Sequence, residues 1–167
     1  MFEKFNINDM SVNVFDLIGK GWMLITSGSL KEHNTMTASW GGLGVLWHNP
    51  TATIYVRSQR FTKKFLDKED FFTLSFFEEK YRSVLSFCGT NSGANVNKDE
   101  QTGISPTIFD ESVAYEEAKL VLVCKKLYSA KMEPENITNP EIIKTFYPEK
   151  GYHYIYLGEI TAAYRKK

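Results

Sequence analysis

The chain has 167 residues, 43% of them hydrophobic, and 20 Lys+Arg against 20 Asp+Glu give a formal net charge of zero. That balance excludes the broad basic field used against nucleic acid or an anionic membrane surface. The length suits one domain, residues 1–167, with a core of its own.

Taken in order, Trp22–Thr26 is a short apolar run after Gly19-Lys-Gly21 and predicts a strand. Asn34–Trp47 predicts a strand, a bend loosened by Gly41, Gly42 and Gly44, and a second short strand. Ala52–Arg57 alternates as a strand does, with Pro50 just ahead of it. Lys63–Lys68 predicts one or two helical turns, with Thr62 as their N-cap. Phe71–Phe77 is an aromatic-rich strand. Tyr81–Cys88 is a helix, and Gly89 takes the position of a left-handed C-terminal cap. Asn91–Ser112 is a polar connection containing Gly93, Gly103 and Pro106, and a connection of that length is usually functional. Glu117–Met132 predicts a long strand. Pro140–Phe146 predicts a short helix capped by Asn139, and His153–Tyr164 a closing strand. Strands dominate and helices are short and scattered, which predicts a mainly β fold, a closed antiparallel barrel with helical insertions.

Two stretches carry chemistry. On a strand, Thr35, Thr37 and Ser39 share one face, opposite Met36, Ala38 and Trp40. Three hydroxyls in a row suit a phosphate or a polyol chain, but taken alone they better suit an exposed, β-favouring face. Arg57 and Arg60 then fall at the end of a strand, just before a helix whose first turn carries Lys63 and Lys64 instead of acids. A helix start offers unpaired N–H groups and partial positive charge, arginine adds paired bonds to phosphate oxygens, and a bound anion would relieve the crowding of cations. Solvated surface charges are the competing reading.

Other chemistries find no footing. No Gly-x-Gly-x-x-Gly, phosphate-binding Walker loop, His-Glu-x-x-His or Gly-x-Ser-x-Gly is present. His33, His48 and His153 are scattered, so no metal site is expected. Cys88 and Cys124 stand far apart without a Cys-x-x-Cys, the N-terminus has no apolar signal region, and no run is long enough to span a bilayer. A cytoplasmic protein with reduced thiols is expected, one that leaves its chemistry to a cofactor.

The blocks Asn34-Thr-Met-Thr-Ala-Ser-Trp-Gly41, Tyr55-Val-Arg-Ser-Gln-Arg-Phe-Thr62, Phe72-Thr-Leu-Ser-Phe76 and Gly89-Thr-Asn-Ser-Gly93 occur in one order, with Tyr154-Ile-Tyr-Leu-Gly-Glu-Ile160 near the end. This ordered set resembles the flavin reductase-like family, whose members often continue Ser-Gly with Arg and then Asp-Val-Asp-Lys. Here the run is Ser92-Gly-Ala94-Asn95-Val-Asn97-Lys98. The resemblance implies a Greek-key split β-barrel that binds FMN, usually as a homodimer. It implies that Thr37, Ala38, Ser39 and Trp40 lie along the flavin. Arg57, Ser58, Arg60 and Thr62 hold its phosphate end, with Ser92 and Gly93 as loop contacts. It further implies an NADH- or NADPH-dependent oxidoreductase that passes electrons through flavin N5 to an acceptor. His153 either faces the nicotinamide or is a strand-edge histidine between tyrosines. An FMN-holding electron carrier that does not react with nicotinamide is the alternative, and a small nucleic-acid- or protein-binding barrel a third class.

Overall fold

The computed structural model describes residues 1–167. Ten strands and four α-helices follow one another along the chain. The strands are β1 (Phe2–Phe5), β2 (Met23–Gly28), β3 (His33–Ala38), β4 (Gly41–Leu46), β5 (Asn49–Arg57), β6 (Phe71–Phe76), β7 (Pro106–Phe109), β8 (Ser112–Tyr115), β9 (Leu120–Lys131) and β10 (His153–Lys166). The helices are α1 (Thr62–Lys68) after β5, α2 (Arg82–Thr90) and α3 (Lys98–Thr102) after β6, and α4 (Pro140–Phe146) before β10.

Eight strands form one antiparallel sheet in the order β3-β2-β6-β9-β10-β5-β4, with β1 also on β10; β7 and β8 pair separately. The two ends, β3 and β4, do not pair with each other, so the sheet is mainly antiparallel β as expected but is not closed by hydrogen bonds. β10 bridges its middle, paired with β9 along one edge and with β5 along the other.

Both faces of the central strands are covered, which is why β2 is buried at all six positions. Met23 and Ile25 enter one core with Ile54, Phe72, Leu122 and Tyr156. Leu24, between them, enters a second core with Leu85 of α2, Tyr115 of β8 and Val121. The period of two sorts neighbouring residues into different cores.

Local expectations meet several corrections. The bend after β3 falls at Ser39 and Trp40; the three glycines lie inside β4, and the tight turn comes at Trp47 and His48, both with positive φ. Such a two-residue turn matches the twist of a hairpin. Gly89 is no left-handed cap but a residue of α2, where a Cβ would come within 3.3 Å of Thr37. A glycine there lets α2 sit close against β3. The segment 91–112 is not an unstructured connection, since it contains α3, β7 and the start of β8. Asn139 does cap α4, accepting the Glu141 N–H at 3.1 Å. No helix is long and apolar enough to cross a membrane.

Candidate functional site

The free end of the sheet at β3 and the ends of β5 and β10 converge on two adjoining clefts. The first, about 190 Å3, is lined by Met36–Trp40, Tyr55, Arg57, Arg60 and His153. The second, about 250 Å3, takes Arg57 and Arg60 again, with Thr62 from α1 and Ser92 and Gly93 from the segment after α2. The structure thus brings together Thr37, Ala38, Ser39, Trp40, Arg57, Arg60 and His153 in one cleft, and Thr62, Ser92 and Gly93 in the next. Ser58 lines neither, and its hydroxyl donates to Gln59 Oε1 at 3.3 Å.

The two arginines are the unusual feature. Arg57 donates to the Phe146 carbonyl at 2.6 Å and lies 5.4 Å from the Tyr147 ring. Arg60 donates to the Gly89 carbonyl at 2.8 Å. Lys98 is buried beside them, its ammonium donating to the Thr35 and Cys88 carbonyls at 2.7 and 2.8 Å. None of the three has a carboxylate at ion-pair distance. Burial, and then Arg57, lower the Arg60 pKa. Burial pushes Lys98 down to about 8, with Arg60 adding to the effect. Lys98 is a buried charge without an ionic partner beside two half-buried arginines, and an anion is what this set lacks.

The backbone adds to it. Gln59, Phe61, Thr62, Ser92 and Gly93 all line the second cleft, and none donates its N–H to another group of the chain. Successive free N–H groups around arginines make a cradle for oxyanions. The source of the cradle differs from the expected one. Thr62 is not the N-cap: Phe61 holds that position, and the buried Thr62 hydroxyl accepts from Asn34 Nδ2 at 2.7 Å. Lys63 is answered within the chain by Asp67 at 2.6 Å, so it does not wait for an anion.

The hydroxyl row also behaves differently. Thr35 is buried, accepting from Thr26 at 2.9 Å and donating to the Ile25 carbonyl at 3.2 Å. The Thr37 hydroxyl donates to the Leu85 carbonyl of α2. Those two hydroxyls tie the strand to its cover and are not open to a phosphate.

Lys98, which sequence reasoning passed over, belongs with the cations. Its only signal was its place at the end of the Ser92–Lys98 run, and its burial depends on packing that no local pattern reveals.

The first cleft has aromatic walls. Trp40 is 47% exposed and lies 5.4 Å from Phe146 and 5.5 Å from His153, centroid to centroid. His153 is buried, its Nδ1 2.7 Å from the Tyr147 hydroxyl. Burial, reinforced by Arg57 and Arg60, drops its pKa to about 4, so the ring is neutral at ordinary pH. The pair of clefts therefore offers a slot for a flat ring and, beyond the arginines, a seat for a phosphate.

A family model described as a flavin reductase like domain matches residues 15–167. Among solved structures, the chain is similar to the FMN-binding domain of a flavin reductases-like enzyme from Shewanella baltica, at 15% identity and a TM-score of 0.71, covering 99% of this chain and 77% of that one. It is similar to a flavoredoxin from Methanosarcina acetivorans at 19% identity and a TM-score of 0.70, over 99% and 76% of the two chains. It is also similar to an NADH:FAD oxidoreductase from Streptomyces globisporus at 21% identity and a TM-score of 0.64, over 87% and 75%. At such identities the likeness to these structures speaks for the fold. No curated protein matches the chain.

Proposed function

The chain belongs to the flavin reductase like family, and from that premise we propose that it is an FMN-binding oxidoreductase taking electrons from NADH or NADPH. The observation that carries this reading is the pair Arg57 and Arg60, without counter-charge, at the junction of an aromatic slot and a cleft rimmed by free N–H groups. Neutral, uncharged-ring binding would not need them.

Bound FMN would supply the redox chemistry itself, and the chain's residues do the rest. The Met36–Trp40 edge and Trp40 bound the ring slot and keep water from one side of it. Arg57, Arg60 and Lys98 balance the phosphate charge, and Thr62, Ser92 and Gly93 present backbone donors to its oxygens. Gly93 is required where it stands, because a Cβ there would meet Asn34 Oδ1 at 1.8 Å. His153, neutral and held by Tyr147, is a fixed wall on the nicotinamide side.

The same reading makes residues 1–167 one flavin domain and the open sheet a split barrel. The exposed Trp40 at the slot, with Val45 and Trp47 exposed on and just after β4, supports a homodimer with the site near its interface. Two buried free thiols suit a reducing compartment such as the cytoplasm.

Anaerobic addition of NADH or NADPH to the flavin-loaded protein is the test. Bleaching of the visible flavin bands by at least one nucleotide, and their return with oxygen, is the expected result. Flavin that stays oxidised with both, yet bleaches with dithionite, would replace this reading with an electron carrier.

A further inference from the structure

Residues 92–103, which bring Ser92 and Gly93 to the second cleft, are fastened to the protein in an unusual way. The Asn91 N–H closes on the Phe87 carbonyl at the end of α2, and the next backbone tie to another part of the chain is at Ser105, whose carbonyl accepts from Glu116. Between those points every backbone hydrogen bond is internal to the segment. No hydrophobic side chain in it is buried, and Lys98 is its one buried residue. Its polar ties to the rest of the chain run through two side chains. Lys98 donates to the Thr35 and Cys88 carbonyls. Asp99 accepts from His33 Nε2 at 2.8 Å and from the Tyr115 hydroxyl at 3.0 Å, which pins α3 against β3.

The Asp99 tie depends on a proton that can leave. His33 Nδ1 lies 3.0 Å from the Ser29 carbonyl while Nε2 faces Asp99. An acceptor at each nitrogen requires two N–H donors, which only the imidazolium has. Burial lowers the His33 pKa, but Asp99, helped by the Ser29 and Leu30 backbone, outweighs it and holds the value above the usual one. The stabilisation is therefore complete below the unfolded value of about 6.5 and is lost as pH rises through the raised folded value. A neutral ring has one N–H for two acceptors. Whichever it keeps, the charge that answers Asp99 is gone. The other ionisable groups lining the same cleft are Lys98 of α3, Tyr115 of β8, and Lys31 and Glu32 of the ring's own hairpin; α1 presents only Phe61 and Phe65 there. Lys98, pushed down to about 8 by burial, acts in the same direction at higher pH.

We propose that residues 92–103 form a strap over the phosphate seat whose closure is controlled by the proton on His33. With the imidazolium paired to Asp99 the strap is docked on β3; with a neutral ring it swings out between Asn91 and the buried Ile104. Opening withdraws Ser92 and Gly93 from the second cleft, so the hold on the flavin phosphate weakens as pH rises. A segment without buried apolar side chains or a backbone ladder lies at the low-stability end of a fold, where one ion pair is a large share of what keeps it closed. The inference rests on the flavin reading for what the seat holds; the strap itself is tested without ligand.

NMR of the ligand-free protein, following imidazole and amide signals from about pH 5.5 to about pH 9, is the experiment. The His33 ring is expected to lose its proton above the ordinary histidine value, and the amides of 93–103 to shift with the same midpoint. Their hydrogen-exchange protection, corrected for intrinsic base catalysis, should fall about fivefold or more across it. Asp99→Asn should bring the ring's midpoint down and uncouple it from the segment. His33→Asn should remove the transition and leave any change due to Lys98, near pH 8. FMN affinity, read above about pH 7 where the phosphate is doubly ionised, should fall about fivefold across the His33 transition, and His33→Asn should abolish that fall. A ring that titrates without moving the 93–103 amides would overturn the strap, as would a transition that survives His33→Asn at the same midpoint. A strap that opens while FMN affinity stays constant would overturn its control of the seat. FMN that binds at no pH would remove the flavin reading, and that control with it, whatever the ligand-free spectra show.

Discussion

Arg60→Ala is expected to weaken FMN binding by about 1.5–3 kcal/mol, the range for a hydrogen bond to a charged group, while riboflavin affinity stays where it was. Arg57→Ala should act in the same direction, and the double variant should lose less than the sum, because the two guanidinium groups share one anion. Each arginine spends a single donor on a carbonyl, Arg57 on Phe146 and Arg60 on Gly89. A guanidinium has five. The remaining donors have no hydrogen-bond partner in the chain, and neither charge has a carboxylate at ion-pair distance. Fluorescence titration of each variant with both ligands is the measurement, with circular dichroism to show that the fold is intact. An unchanged FMN affinity in Arg60→Ala would move the phosphate elsewhere. In the ligand-free protein, removing Arg57 relieves its repulsion of Arg60 but also gives up the bond to the Phe146 carbonyl and the contact with the Tyr147 ring, so the two effects oppose each other.

The second large effect lies in the scaffold. Phe72 of β6 is fully buried, and its ring occupies the space that a side chain on Gly158 of β10 would need. A Cβ at Gly158 would lie 2.7 Å from the ring and 2.9 Å from Cys124 Cβ. The pairing of β9 and β10 shifts register between Leu157 and Gly158, so the strand bends where the ring sits. Phe72→Ala is expected to cost about 3–5 kcal/mol through the cavity it leaves. Gly158→Ala should cost about 1–3 kcal/mol through overpacking. The two combined should cost clearly less than their sum, because the new methyl enters the vacated space. Urea unfolding of the four proteins gives the cycle. Strict additivity would show that the two positions do not share that space.

The local features of the fold were legible in the sequence, and the reason is physical. Asn139-Pro140 announces the start of α4 because cap and first-turn preferences act over a few residues. Seven of the eight strands of the large sheet were visible in the sequence, β1 (Phe2–Phe5) being missed, and the two arginines were visible because they follow one of them. What escaped depends on distant packing. Thr37 looked like a binding hydroxyl until α2 lay on it and took its proton at Leu85. Gly89 looked like a helix cap, but its lack of a side chain serves the approach to Thr37. Lys98 is an ordinary lysine in sequence and becomes a buried, unpaired ammonium only when α3 is pinned to β3 by His33 and Asp99. The polar segment 91–112 hid its short helix and hairpin because elements of four or five residues carry too few positions for a period to show. Strand order belongs to the same class, since it is fixed by contacts between distant residues.

The phosphate seat is the centre of the account, and comparing FMN with riboflavin on the unmodified protein addresses it most directly. The two ligands share the ring and the ribityl chain and differ in the phosphate alone. Fluorescence-quenching titration in low-salt buffer should give FMN an affinity at least about a hundredfold higher, as expected for two charge-assisted contacts, and added salt should narrow the gap. Equal affinities for FMN and riboflavin would contradict it, because the unpaired Arg57, Arg60 and Lys98 would then have no part in holding the ligand.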